Sequence, residues 1–127
     1  MMRQWFYDRL KVVSTLPDPA IFAGGALTGS PSMDRFLVYR MQEISSVFND
    51  GDQPDVGSQG VQVWVYDVGG SYDWIDSELD AIRDGLVGAA EVANGIACRW
   101  LGNSAELADD DMNRIVRNGQ FQITGRI

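Results

Sequence analysis

The 127-residue chain has no histidine and one cysteine, Cys98. Without histidine, Ser–His–Asp and Cys–His nucleophile systems are excluded, and so are His-ligated zinc or iron centres. One cysteine closes no intramolecular disulfide and builds no multi-cysteine zinc site, which fits a reducing compartment. Basic residues are scarce as well. Ten Lys and Arg stand against eighteen Asp and Glu, for a net charge of −8 and a pI near 4.3. Such a surface repels phosphate and gives no long-range steering toward nucleic acid. Long apolar runs are missing too, so no membrane span is expected. The opening "MMRQWFYDRLKVV" is broken by Arg3, Asp8, Arg9 and Lys11 and contains no apolar signal core. The expectation is a soluble product of the cytoplasm.

What is present argues for a folded domain. The hydrophobic fraction is 45%, with four Trp and five Phe, which is incompatible with a disordered chain. The length suits one domain able to bury a core without covalent staples.

Residues 2–14 place Trp5, Phe6, Leu10 and Val13 on one helical stripe. Leu16-Pro17-Asp18-Pro19 then ends the helix. Residues 20–22 read as a short strand and 23–32 as a loop. The clearest strands are 35–42 and 60–66, where Val61, Val63 and Val65 alternate with Gln62, Trp64 and Tyr66. Between them, 43–59 reads as part strand and part polar loop. Its segment 49–58 holds only Val56 as a core-type residue, so the loop near 45–59 is expected to be mobile in the isolated chain and to contact a neighbouring subunit or another protein.

A second helix is expected over 71–95, capped by Ser71 or Asp73 and ended by Asn94-Gly95. Trp74, Ile75, Leu79, Ile82 and Leu86 form its stripe. Asp73, Asp76 and Glu78 suit its dipole, and Ala81, Gly85 and Ala89 leave a groove for a close-lying sheet. Residues 96–102 read as a third strand. Residues 106–116 are ambiguous between helical turn and strand, and 119–127 close the chain as a strand. The order predicts an α+β domain, two helices packed on one face of a mainly antiparallel, mixed sheet. Val63, Val65, Leu79, Ile82, Leu86 and Phe121 are its expected core.

The motifs that suggest chemistry break where it matters. Gly24 to Gly29 has phosphate-loop spacing, but Ser30 and Pro31 stand where Lys and Ser/Thr are required. Asp109, Asp111 and Asn113 match the first ligands of a calcium loop. Arg114 then replaces its glycine, and Gln120 its final glutamate. The run from Asp50 through Asp52 to Asp55 fails similarly, with Asp55 and Val61 at those positions. Both read as acidic solvated turns. A carboxylate- or metal-dependent hydrolase is the distant alternative. Cys98 reads as a small core residue and the tryptophans as core or interface anchors. Arg114, Arg117 and Arg126 could line one edge of the last strand. The sharper expectation is a basic edge that meets Asp109, Asp110 and Asp111 of a neighbouring copy.

Four segments carry a resemblance to a known family: "MRQWFYDRL", "SPSMDRFLVYR", "GVQVWVYDVGGSYDWIDSELDAIRDGL" and "RWLGNSAELADDDMNRIVRNGQFQI". Together they resemble tail terminator proteins of long-tailed, siphovirus-type phages, in particular those of actinobacterial hosts, over nearly the whole chain in order. The resemblance implies a virion structural protein whose hexameric ring caps the tail tube. The ring stops tube polymerisation and offers a docking surface to the head–tail connector or stopper. It implies no catalytic, cofactor or metal residues. Partners would be further copies of the chain and the tail tube protein, with genomic DNA passing the lumen without specific binding. The location would be the top of the tail, after assembly in the host cytoplasm. A neck or head–tail joining protein is the alternative. Candidate interface residues are Asp109, Asp110, Asp111, Arg114, Arg117, Asp50, Asp52, Asp55, Met33, Asp34 and Arg35.

Overall fold

In the computed structural model, residues 2–24, 31–42, 45–46, 56–88 and 95–126 are described. Two helices, α1 (Met2–Val13) and α2 (Asp73–Val87), accompany seven strands. These are β1 (Ile21–Ala23), β2 (Phe36–Met41), β3 (Ser45–Ser46), β4 (Val56–Asp67), β5 (Ala97–Asn103), β6 (Leu107–Asp109) and β7 (Arg114–Arg126). The sheet runs β1-β2-β4-β7-β5, with β3 on β4 and β6 on β7. Among the described residues only the β1–β2 pair is parallel. The α+β class and the mainly antiparallel, mixed sheet are as the sequence predicts.

Alternation along β4 decides which face the helices cover. Val61, Val63 and Val65 are buried with Leu37, Phe121 and Ile123 from neighbouring strands. Trp5, Phe6 and Leu10 of α1 and Ile75, Leu79, Ile82 and Leu86 of α2 close over them, so both helices lie on one face. All six expected core residues are buried there. Truncating such a Leu or Ile to Ala costs about 2–5 kcal/mol. The opposite face carries a smaller cluster of Ala20, Phe36, Tyr66 and Val116, with Trp64, Met33 and Met112 packed against it.

Several sequence boundaries shift. β4 begins at Val56 rather than at 60, because β3 and β7 both pair with its first turns of chain: Ser45 faces Ser58, and Val56 faces Arg126. The last strand begins at Arg114, not 119. Residues 106–116 resolve as a hairpin, β6 to β7, with Asp109 opposite Arg114. Helix α2 ends at Val87, and its N-cap position is Tyr72. Ser71 lies just outside, its hydroxyl accepting the Asp73 N–H at 3.1 Å. Gly95, in the left-handed region at φ 67°, precedes β5. Ala89, Asn94, the 25–30 part of the glycine loop, and Asp50, Asp52 and Asp55 lie outside the described residues.

Two contacts set the helix pair. The first is Glu78, which sequence spacing had assigned to the helix dipole. It is buried, and its carboxylate accepts hydrogen bonds from the Thr15 N–H (2.9 Å), the Thr15 hydroxyl and the Ser14 hydroxyl (3.4 Å). A buried carboxylate is tolerated only with such donors. Here they are the backbone and side-chain groups freed just after α1 ends at Val13. The second is Gly85. The groove expected to receive the sheet receives α1 instead: a Cβ at Gly85 would lie 2.6 Å from Val13 Cβ. On the sheet side it is Gly119 of β7 that lets Leu79 approach, 3.1 Å from where a Cβ would stand.

Gly85→Ala is therefore expected to destabilise the fold by about 1–3 kcal/mol through overpacking, although alanine has the higher helix propensity. Val13→Gly, which removes the Cβ that the new methyl would meet, should recover part of that loss when added to Gly85→Ala. Chemical denaturation of the two variants checks this, and a stabilised Gly85→Ala protein would contradict the packing.

Candidate functional site

The stretch 109–117 concentrates charge, and the hairpin places each group differently. Asp109 closes the turn. Its Oδ1 accepts the Met112 N–H at 3.2 Å, and the carboxylate also accepts the Tyr66 hydroxyl. The Tyr66 hydroxyl titrates above its ordinary value, first because it is buried, then because of the Asp109 charge and that hydrogen bond. The Asp110 carbonyl accepts the Asn113 N–H at 3.2 Å, and Asn113 turns the chain at φ 53°, a conformation asparagine tolerates. Asp110 and Asp111 are exposed. Neither carboxylate has a hydrogen bond or ion pair among the described residues.

Arg114 is occupied within the chain. Its five N–H donors go to five carbonyl oxygens: Asp34 through Nε, Met112 and Asn113 through one terminal nitrogen, Pro31 and Met33 through the other, at 2.9–3.2 Å. A guanidinium has five donors in all, so none remains for a partner molecule. The same group lies 5.7 Å from the Phe36 ring centre. Arg114 thereby fastens the approach to β2 onto the hairpin. Arg117 binds the Ser104 carbonyl through two nitrogens (3.0 and 2.9 Å) and pairs with Asp76 at the start of α2. Its acidic partner is thus Asp76 of its own chain. The Arg126 side chain lies outside the described residues.

The other candidates divide likewise. Arg35 pairs with buried Asp67 (3.4 Å) and stacks on Trp74, 4.5 Å from the ring centre. Met33 packs into the smaller cluster, and Asp34 is exposed with its carbonyl held by Arg114. Of the residues expected to form an interface, Asp110, Asp111 and Asp34 are the described ones that present a carboxylate to solvent.

The hairpin borders a cleft of about 500 Å³. Trp64, Tyr66, Leu107 and Val116 form an apolar and aromatic floor, and Asp109–Asp111 form the rim. That combination suits a cationic side chain with an aliphatic stem, through carboxylate pairing and the aromatic faces. A second cleft, of about 250 Å³, lies at the far side of the sheet against Arg3, Ala23, Gly24, Tyr39, Arg40 and Met41. Sequence reasoning passed over Arg3 and Arg40. The available signal was their position: Arg3 on the polar side of an amphipathic helix, Arg40 on the outward phase of a strand. Burial raises the Tyr39 hydroxyl, aided by Tyr7 and opposed by Arg3. A third cleft, of about 460 Å³, lies between α2 and β5 beside Val87, Cys98 and Trp100. Burial pushes the Cys98 thiol up to about 11, which leaves it protonated and unreactive at neutral pH. Among the described residues no group of three or more Asp, Glu, Cys or His side chains is placed to hold a metal ion.

No protein-family model matches the chain, and no curated protein does. A solved structure with 17% sequence identity covers 96% of this chain and 92% of its own, with a TM-score of 0.56. At that identity the likeness speaks for the fold alone.

Because Arg114 is saturated inside the chain, Arg114→Ala is expected to lower the stability of the isolated protein by roughly 2–4 kcal/mol. A thermal or denaturant melt checks this. An unchanged melt would return Arg114 to the list of surface cations.

Proposed function

We propose that the protein is a ring-forming tail terminator of a long-tailed phage. A hexameric ring of this chain caps the tail tube, ends its polymerisation and receives the head-side connector. The observation that supports this reading most directly is the exposed acidic hairpin tip. Asp110 and Asp111 stand beside an aromatic cleft without a counter-charge among the described residues, which is the arrangement of a surface that meets protein. The resemblance across four segments of the sequence supports it independently. Opposite charges at such a contact fix register and choice of partner more than raw affinity.

The partners of the ring are further copies of the chain, the tail tube protein and the connector. DNA would traverse the lumen unbound, since an acidic wall repels phosphate. The alternative within the same class is a neck or head–tail joining protein.

Tube assembled without the protein should run to irregular length, and adding the purified protein should stop growth at one length with density at the head-proximal end. Density at the connector with no effect on length would favour the joining role, and metal-dependent turnover would favour the hydrolase. Replacing Asp110 and Asp111 together with Asn should leave the melt within about 1 kcal/mol of the parent, as for surface sites. The same change should weaken length control, more so at high salt where exposed charges are screened. Tails of normal length with this variant would count against the hairpin as a contact.

A further inference from the structure

Two patches at opposite edges of the sheet carry opposite charge, Arg3 and Arg40 at one and the Asp110–Asp111 hairpin at the other, although β5 beside the hairpin also carries exposed Arg99. At one edge, β1 pairs with β2 from Leu37 to Tyr39, and among the described residues no strand pairs with Arg40 and Met41 on that side. Gly24 closes that end, its N–H donating to the Tyr39 carbonyl at 2.7 Å. Arg40 and Arg3 are exposed and border the cleft of about 250 Å³. Among the described residues neither has a carboxylate within ion-pair distance. At the opposite edge, β6 flanks β7, and its hairpin carries Asp110 and Asp111 with exposed Glu106 just before it. Four strand spacings separate the β1 edge from the β6 edge, about 19 Å.

We infer that the β1–β2 edge of one copy, through Arg3 and Arg40, docks on the Asp110–Asp111 hairpin and its aromatic cleft on the next copy. This deepens the ring reading and rests on it. Like patches repel: hairpin on hairpin sets acid against acid, and Arg3–Arg40 on its own copy sets base against base. The unlike patches attract, and a contact between two different surfaces is heterologous, propagating head to tail until it closes. The aliphatic stem of Arg40 suits the floor of Trp64, Tyr66 and Leu107, while its guanidinium reaches the carboxylates at the rim. The two surfaces are also offset along the strands. Arg40 aligns through Gln62 with Gln120, whereas the hairpin begins opposite Arg114. Six residues of strand amount to about 20 Å, so the sheet crosses the ring obliquely.

Arg40→Cys and Asp110→Cys in one chain, treated with a flexible bismaleimide long enough to replace an arginine–aspartate pair, test this. The experiment is run on the concentrated protein and on protein bound to tails. Both positions are exposed, and the parent protein is a silent control because its Cys98 is buried. The expected result is a ladder of covalent oligomers ending at the closed ring, with no ladder from either single variant. A covalent dimer from one single variant would show like edges meeting and overturn the inference. So would absence of a ladder under both conditions. Length control is read on the parent protein: if the parent sets tail length and the double variant gives no ladder, the edge pairing falls and the terminator reading stands. A ladder from the double variant with a parent that does not set length does the reverse.

Discussion

The fold depends on one ladder. β4 and β7 pair over twelve consecutive positions, from Val56 opposite Arg126 to Asp67 opposite Ile115, and every other described strand except β1, which pairs with β2, is added to one or other of them. β2 and β3 join β4, and β5 and β6 join β7. A shift of one residue in this ladder would turn Val61, Val63 and Val65 away from the helices and send Gln62 and Trp64 inward. The register therefore fixes the core face, the position of Gly119 beneath Leu79, and the point where β7 leaves the hairpin. The charged tip at Asp110–Asp111 is where it is because the ladder ends there.

The helices are fastened to each other as much as to the sheet. Glu78 draws the end of α1 against α2 through Ser14 and Thr15, and Gly85 gives Val13 the room to lie close. Arg117 ties the start of α2, at Asp76, to β7 and Ser104. Arg114 does the same for residues 31–34, which run into β2. Several charges that resemble functional groups in the sequence are structural fasteners, while the hairpin tip and the Arg3–Arg40 edge are among the charged surfaces that the described residues leave exposed.

Periodicity made much of this legible. The valine alternation of β4, the stripe of α2 and the apolar phase of Phe121 are local patterns, so they predicted the core and the α+β class directly. Long-range partners were not legible. Nothing in the spacing of Glu78 tells that its donors come from Thr15, sixty-three positions away, or that Gly85 faces a helix rather than a sheet. The arginines misled for the same reason: Arg114 and Arg117 follow the aspartates in sequence, but their partners are carbonyls and Asp76 brought in by the fold. Asp109 turned out to be a turn residue, while Asp110 and Asp111, indistinguishable from it in the sequence, are the free ones.

The proposed ring requires each copy to present two different edges of one sheet to two neighbours, with acid meeting base at every junction. An electron cryomicroscopy reconstruction of the head-proximal end of assembled tails, at a resolution that traces strands, tests this most directly. The account predicts six copies related by rotation about the tail axis, the β1–β2 edge of each against the β6–β7 hairpin of the next, and the sheets running obliquely. A ring of another number, a two-fold junction of like edges, or hairpins standing free of any neighbouring protein would contradict it.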